Sequence, residues 1–377
     1  MTHPAPPDAP DRALMPDYLR LFALFGIVVV NVQAMAYSAL AGFEAAPSTT
    51  GIDGLAIWLV NGVFYLKTYG LFSFMFGVGL AFQMRSAERR GLAFGPLYRN
   101  RMIGLVILGV AHGVLLFAYD ILVLYALTGA ILYTMRNCPV RRLVWTGAIL
   151  LAVQVVLVAG LLMAPEPPDA LADLEREVMT TGGFADVTAF RAITFLTILP
   201  FALVFQGVSA LGWFCLGLAA VKSGLIDRAD HPLWARARQW CLVPGVVLSL
   251  VAAALWQWGP ALAGEIMLSL VAPFATLGYL GLIAALARPP GRWMAAMLKA
   301  GGSSLSVYLG QSIILCTLFA PYGLGLWGIV APTMAVALAL AVTAALILAL
   351  VVWRRFFALG PFEGVLRWFT RLGARRG

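Results

Sequence analysis

The sequence predicts an all-α fold: a polytopic membrane helix bundle of about ten transmembrane helices with both termini cytoplasmic. Three observations predict it. First, 62% of the 377 residues are hydrophobic, 11% are charged, and the mean hydropathy is +0.90. A soluble chain is nearer ~45–50% apolar and ~25% charged. This composition cannot build a water-facing surface, which excludes a soluble enzyme, a disordered chain and a nucleic-acid module. Second, apolar segments long enough to cross a hydrocarbon core of ~30 Å recur along the chain. Third, the basic residues between those segments alternate.

The elements follow in order. Residues 1–16 are rich in proline (Pro4, Pro6, Pro7, Pro10, Pro16) and read as a disordered cytoplasmic tail. The transmembrane domain spans 17–358, with segments near 18–41, 54–84, 101–118, 120–135, 143–163, 192–221, 240–258, 263–287, 302–321 and 331–353. The first segment resembles a signal peptide, with Arg12 and Arg20 ahead of an apolar run and Ala34-Met35-Ala36 as a cleavage look-alike. Its apolar run continues to Leu40, which favours a retained helix. The second is long for one straight span and holds Gly62, Gly70, Gly77 and Gly79, so it is expected to be tilted, kinked or broken. The third and fourth join with almost no loop at Tyr119–Asp120. Between the fifth and sixth lies a loop, 164–191, expected outside, with Ala170–Met179 able to form an amphipathic helix over the external face. Residues 359–377 are expected as a basic cytoplasmic tail.

Charge tests this order independently. With the N-terminus inside, 23 of the 26 basic residues fall on the cytoplasmic side and ten of the 17 acids on the outer side. Arg176 and Arg191 fall outside and Lys67 within a span. The net charge of +9 is thus mainly a topology signal facing anionic lipid. The expected location is the plasma (cytoplasmic) membrane, with the lipid bilayer as partner and no nucleic acid. Four scattered cysteines form no disulfide framework, and no metal-ligand spacing appears.

Polar residues inside spans are costly and mark candidate sites. Lys67 lies about 13 residues into its span, roughly 20 Å from the outer start; it serves function or pairs structurally. His112 sits in Gly109-Val110-Ala111-His112-Gly113, a G-x-x-x-G that lets a helix approach closely. A neutral imidazole there suits a general base or a hydrogen-bonded core. By depth, His112 and Lys67 both fall near mid-membrane, so a shared cavity is expected. Asp120 is eight residues after His112, roughly 12 Å on a continuous helix and out of hydrogen-bond range unless the chain folds back near Phe117. It is expected at the outer surface as a helix N-cap. Asn31, Gln33, Gln206, Tyr308, Gln311 and Ser312 complete the inventory, Tyr308 and Gln311–Ser312 sharing one helix face. Arg20, Arg85, Arg99 and Arg101 cluster at cytoplasmic ends, matching either lipid headgroups or a nucleotide phosphate.

Several blocks resemble a known family. Asp17-Tyr18-Leu19-Arg20-Leu21-Phe22-Ala23-Leu24-Phe25-Gly26-Ile27 with Asn31, Lys67-Thr68-Tyr69-Gly70 through Gly77, Arg99 and Arg101, and His112 with Tyr119-Asp120 through Tyr125-Ala126 come first. Gly301 through Tyr308-Leu309, Gln311-Ser312, Tyr322 through Leu326, and Gly360-Pro361-Phe362-Glu363 with Arg367 follow. In this order they resemble the bacterial YeiB-like multi-pass membrane proteins, whose C-terminal part is the domain of unknown function 418. Leu21 and Val307 depart from that pattern, where Gly and Asn are usual. The family is distantly similar to transmembrane acyltransferases, some of which carry a His late in the first helix; here the stretch reads Asn31-Val32-Gln33. The resemblance implies acyl transfer from cytoplasmic acyl-CoA, held near Arg20, Arg85, Arg99 and Arg101, without a metal. His112 and Lys67 would be catalytic, and Asn31, Gln33, Asp120, Tyr308, Gln311 and Ser312 would bind the substrate. The alternative is a transporter or exporter of a small polar or anionic solute, with Lys67 as its charge partner. A non-catalytic scaffold is the third reading.

Overall fold

The structure, a computed structural model, describes residues 14–39, 41–163 and 169–372. Among them are α1 (Met15–Ala36), α2 (Gly51–Leu59), α3 (Lys67–Arg89), α4 (Phe94–Leu115), α5 (Leu122–Thr134), α6 (Val140–Leu162), α7 (Asp169–Thr181) and α8 (Phe184–Lys222). Then come α9 (Pro232–Ala237), α10 (Val243–Trp258), α11 (Ala261–Leu286), α12 (Arg292–Gly301), α13 (Ser304–Phe319), α14 (Pro332–Phe356) and α15 (Pro361–Arg371). Each of the ten apolar segments coincides with one of these helices or a run of them. Helices satisfy their own backbone, which hydrocarbon demands.

Among the described residues, seven helical stretches are long and apolar enough to cross a membrane, and the bent pair α12–α13 makes an eighth if counted as one span. The sequence counts ten. The difference lies in α4, whose first turns carry Arg99, Asn100 and Arg101, and in α5, whose 13 residues reach only ~20 Å. The lipid-facing character is plainest on α6, where only Leu143 and Gly147 are buried and Trp145, Ile149 and Val156 are exposed.

Packing follows small residues. A Cβ on Gly77 of α3 would strike the Phe214 carbonyl of α8, and one on Gly217 of α8 would strike the Phe74 carbonyl of α3. The two backbones therefore cross in direct contact. α1 runs through the middle of the bundle against α3, α11, α12, α13 and α14. The cleavage look-alike lies inside this helix, with Met35 and Ala36 buried.

Three expectations change. Met15 and Pro16, assigned to the tail, begin α1 and are buried; residues 1–13 lie outside the described ones. Residues 361–371 form α15, packed on α4 and α13 rather than trailing as a tail. Glu363 fixes it there, accepting from Ser306 N at 3.0 Å and Ser306 Oγ at 2.5 Å. The long second segment is broken, but its glycines are not the cause of the sharp turn. A π-helical stretch, Val60–Phe64, is followed by Leu66 at φ +63°, with Lys67 N donating to Tyr65 O at 2.9 Å. That is a tight, strained turn centred on a leucine. The amphipathic helix expected over Ala170–Met179 is α7.

Candidate functional site

The α4–α5 connection builds the centre of the site. α4 ends at Leu115, and the Leu116 and Phe117 amides both donate to His112 O at 2.9 Å. The chain then reverses, and α5 starts at Leu122. Asp120 lands beside His112: Asp120 Oδ1 lies 2.8 Å from His112 Nδ1, and Asp120 Oδ2 accepts from Val123 N at 2.8 Å. Asp120 thus caps α5 as expected, but it is not at the outer surface; only 5% of it is exposed. Its distance from His112 on a continuous helix does not apply, because the helix stops. Gly109 makes the approach possible, since a Cβ there would meet Asp120 Oδ2 and the Val123 backbone.

This carboxylate orients the ring. With Nδ1–H donating to Asp120, Nε2 keeps its lone pair. His112 is 2% exposed and its Nε2 is buried without a hydrogen-bond partner among the described residues. The Tyr308 ring of α13 lies 5.1 Å from the imidazole, and its hydroxyl is buried without a hydrogen-bond partner among the described residues. Three residues expected in the site, two from the α4–α5 connection and one from α13, therefore meet.

Asp120 also lines a cavity of about 600 Å³ bounded by α1, α3, α5, α8, α10 and α11. Asn31, Gln33 and Gln206 line it too. Tyr69 donates to Asn31 Oδ1 at 2.8 Å, and Ser73 and Tyr125 share a 2.8 Å hydrogen bond on the same wall. Neither His112 nor Lys67 is among the lining residues. The expected cavity lined by both is not what the fold builds: His112 stands behind Asp120. Lys67 is fully buried at the start of α3, its Nζ donating to Asn61 O at 3.2 Å. It holds a carbonyl freed by the broken helix. Gln311 and Ser312 serve packing: Gln311 Nε2 donates to Leu24 O at 3.2 Å and Thr343 Oγ1 at 2.8 Å, and Ser312 Oγ to Tyr308 O at 3.4 Å.

Residues 220–373 match the family described as a protein of unknown function, DUF418. The chain is 28% identical over 380 residues to the uncharacterized protein YxaH of Bacillus subtilis, covering 94% of this chain and 93% of that one. It is 29% identical over 380 residues to the uncharacterized protein YeiB of Escherichia coli, covering 96% of each. The chain is YeiB-like. A 39.9 kDa uncharacterized protein of Bacillus acidopullulyticus is 29% identical over 147 residues, 39% of this chain and 40% of that one. No solved structure matches the chain. The DUF418 part of this YeiB-like protein runs from the end of α8 through α15 and so supplies Tyr308, whereas Asn31, His112 and Asp120 precede it. The site is assembled from both halves.

The four arginines expected at cytoplasmic helix ends do not form one cluster. Arg20 pairs with Asp17 at 2.9 Å, and its charge acts on Arg101, as does that of Glu363. Arg101 Nε is buried without a partner among the described residues. Arg85 points elsewhere, to Asp227 at 3.3 Å and Val221 O at 2.9 Å, and Arg99 is exposed.

Sequence reasoning missed three features. Glu265 and Glu44 line the cavity; an acid within an apolar segment was the available signal for Glu265. Arg191, counted as an external exception, is 7% exposed and donates to Leu115 O at 3.2 Å and Tyr322 OH at 2.8 Å, tying off the end of α4. Glu175 of α7 is buried and accepts from Ser38 Oγ at 2.6 Å and Ala39 N at 2.8 Å. Burial, and then the Glu175 carboxylate, push the nearby Tyr119 phenol up.

Proposed function

We propose that this membrane protein transfers an acyl group from cytoplasmic acyl-CoA to a hydroxyl-bearing acceptor in the cavity beside Asp120. The observation that carries the reading is the buried His112–Asp120 pair at 2.8 Å, with Nε2 left unpartnered and the carboxylate forming part of a cavity wall. The acceptor hydroxyl reaches His112 Nε2 by passing the Asp120 wall that stands between the ring and the cavity, and Nε2 takes its proton as the oxygen attacks the thioester carbonyl. The new C–O bond forms and the C–S bond breaks. The leaving thiolate of CoA receives the proton from His112, which returns to its neutral state. Tyr308, rather than Lys67, stands close enough to the ring to polarise the carbonyl. Arg101 suits the donor's phosphates, because its guanidinium has an orphaned N–H and Arg20 lies in electrostatic reach.

Purified full-length protein in lipid nanodiscs tests this. Acyl-CoA should bind, and CoA release should depend on an added acceptor. His112→Ala should lower turnover by roughly 10²–10⁴-fold, the usual weight of a general base, and leave acyl-CoA binding intact. Absence of acyl-CoA binding, or full turnover in the variant, overturns the reading.

A second reading, carriage of a small polar solute, is favoured by one observation: the helix broken at Leu66 borders the cavity, as broken helices border transport sites. It calls for solute flux in proteoliposomes that survives His112→Ala.

A further inference from the structure

The charge around the cavity is one-sided. Its lining contains three carboxylates, Glu44, Asp120 and Glu265, and no lysine, arginine or histidine among the described residues. Both Asp120 oxygens are already engaged, by His112 Nδ1 and Val123 N. The other two carboxylates are not. The carboxylates of Glu44 and Glu265 have neither an ion pair nor a hydrogen bond among the described residues; both face the same cavity, and Glu265 lies within the field of Glu44. Two carboxylates facing one cavity without a counter-ion repel each other, and a cation between them relieves that repulsion.

Aromatic rings stand at the same end. Tyr65 lies in the field of Glu265, and its ring centroid is 5.5 Å from that of Trp256, with the planes tilted by 44°. Both rings line the cavity. Ring faces attract organic cations, tryptophan most strongly. A hard metal ion asks instead for six or more oxygen ligands at short range, and an aromatic wall does not supply them. A volume of about 600 Å³ is also far beyond a bare ion.

We infer that the Glu44–Glu265 end of the cavity, walled by Tyr65 and Trp256, binds an ammonium group. That it is the cationic head of the acyl acceptor rests on the acyltransferase reading; that a cation binds there does not. The acceptor class is then a small amino alcohol or amino sugar, its ammonium held at this end and a hydroxyl directed toward Asp120 and His112.

The test separates the two claims by omitting the acyl donor. Choline and its neutral carbon isostere, 3,3-dimethylbutan-1-ol, are titrated calorimetrically into the full-length protein in nanodiscs. Choline should bind at least ~10-fold more tightly than the isostere, the range expected of a cation in a carboxylate–aromatic site. Glu265→Gln and Glu44→Gln should each weaken choline several-fold and leave the isostere unchanged. Glu44 is exposed, so its variant keeps the test decisive where Glu265→Gln fails to fold. Trp256→Leu should weaken choline by about 2–10-fold. Equal binding of the isostere, unchanged affinity in Glu44→Gln, or displacement of choline by millimolar Ca²⁺ overturns the inference. Choline binding in a protein that takes no acyl-CoA upholds the cation site and removes the acyltransferase reading. Acyl transfer to an uncharged acceptor, with no choline binding, does the reverse.

Discussion

Substituting Asp120 separates its two tasks. The carboxylate accepts from Val123 N and faces His112 Nδ1, both at 2.8 Å and both buried. In Asp120→Ala two buried donors lose their acceptor. Each orphan costs about 1–3 kcal/mol, so the variant should lose roughly 2–6 kcal/mol of stability. Asp120→Asn behaves differently. Its single oxygen must go to Val123, because a backbone N–H cannot give up its proton to suit a facing amide. The NH₂ then faces His112 Nδ1, and the ring answers by moving its proton to Nε2. The stability cost is small, below about 1 kcal/mol, but Nε2 no longer has a lone pair. Turnover should fall by ~10²–10⁴-fold, equivalent to about 3–5 kcal/mol of barrier. Initial rates of CoA release and thermal unfolding are measured on the same nanodisc samples. Asparagine turnover within threefold of the parent would refute the orienting role, and an unchanged melting temperature in Asp120→Ala would refute the capping role.

Four further outcomes are expected. Gly109→Ala places a methyl against Asp120 Oδ2 and the Val123 backbone, so turnover should fall as in Asp120→Asn, with a further loss of about 1–3 kcal/mol in thermal unfolding. Glu175→Ala strips the acceptor from Ser38 and the Ala39 amide, and hydrogen exchange over 169–181 should rise by ~10-fold or more while the global melting temperature moves little. Lys67→Met keeps the volume and removes a buried charge that has no ion pair among the described residues, so the melting temperature should hold or rise; a fall of several degrees would show that the ammonium–Asn61 bond outweighs its desolvation. In intact cells a cysteine introduced near Asp173 should be labelled from outside and one near Asp230 should not; the opposite pattern would invert the charge-based topology.

The helices were legible because hydrocarbon leaves little choice of secondary structure, and the G-x-x-x-G at Gly109 and Gly113 correctly marked a packed face. The reversal was legible at Tyr119–Asp120, but its start after Leu115 and the pairing of His112 with Asp120 were not. Leu116-Phe117-Ala118-Tyr119 contains no glycine or proline, so the third span reads as helix to residue 118. What stops the helix is tertiary: Arg191, 76 residues on, takes the Leu115 carbonyl, and Asp120 folds onto His112. The break at Leu66 was hidden in the same way, since a leucine at φ +63° carries no local signal and its support, the Lys67–Asn61 bond, belongs to the folded state. The lone acid Glu265 was in plain view, but its meaning depends on Glu44 from another loop. Single polar residues could be found in the chain; their pairings could not.

The reciprocal glycine contacts between α3 and α8 bear on motion. Phe74 and Phe214 carbonyls sit where side chains would otherwise stand, so neither helix can slide or rotate without backbone collision. α10 and α11 are locked likewise, through Gly245 against Ala275 and Gly264 against Trp256. α3–α8 and α10–α11 are thus two stiff bodies within the bundle, and the cavity lies between them, with Trp213 and Ser209 on one side and Trp256 and Thr276 on the other. Any breathing that admits or releases a ligand must be a hinge of one body against the other. The polypeptide that joins them runs from the end of α8 through α9 to a second π-helical stretch, Arg238–Leu242, which leads directly into α10 and is the place for the joint.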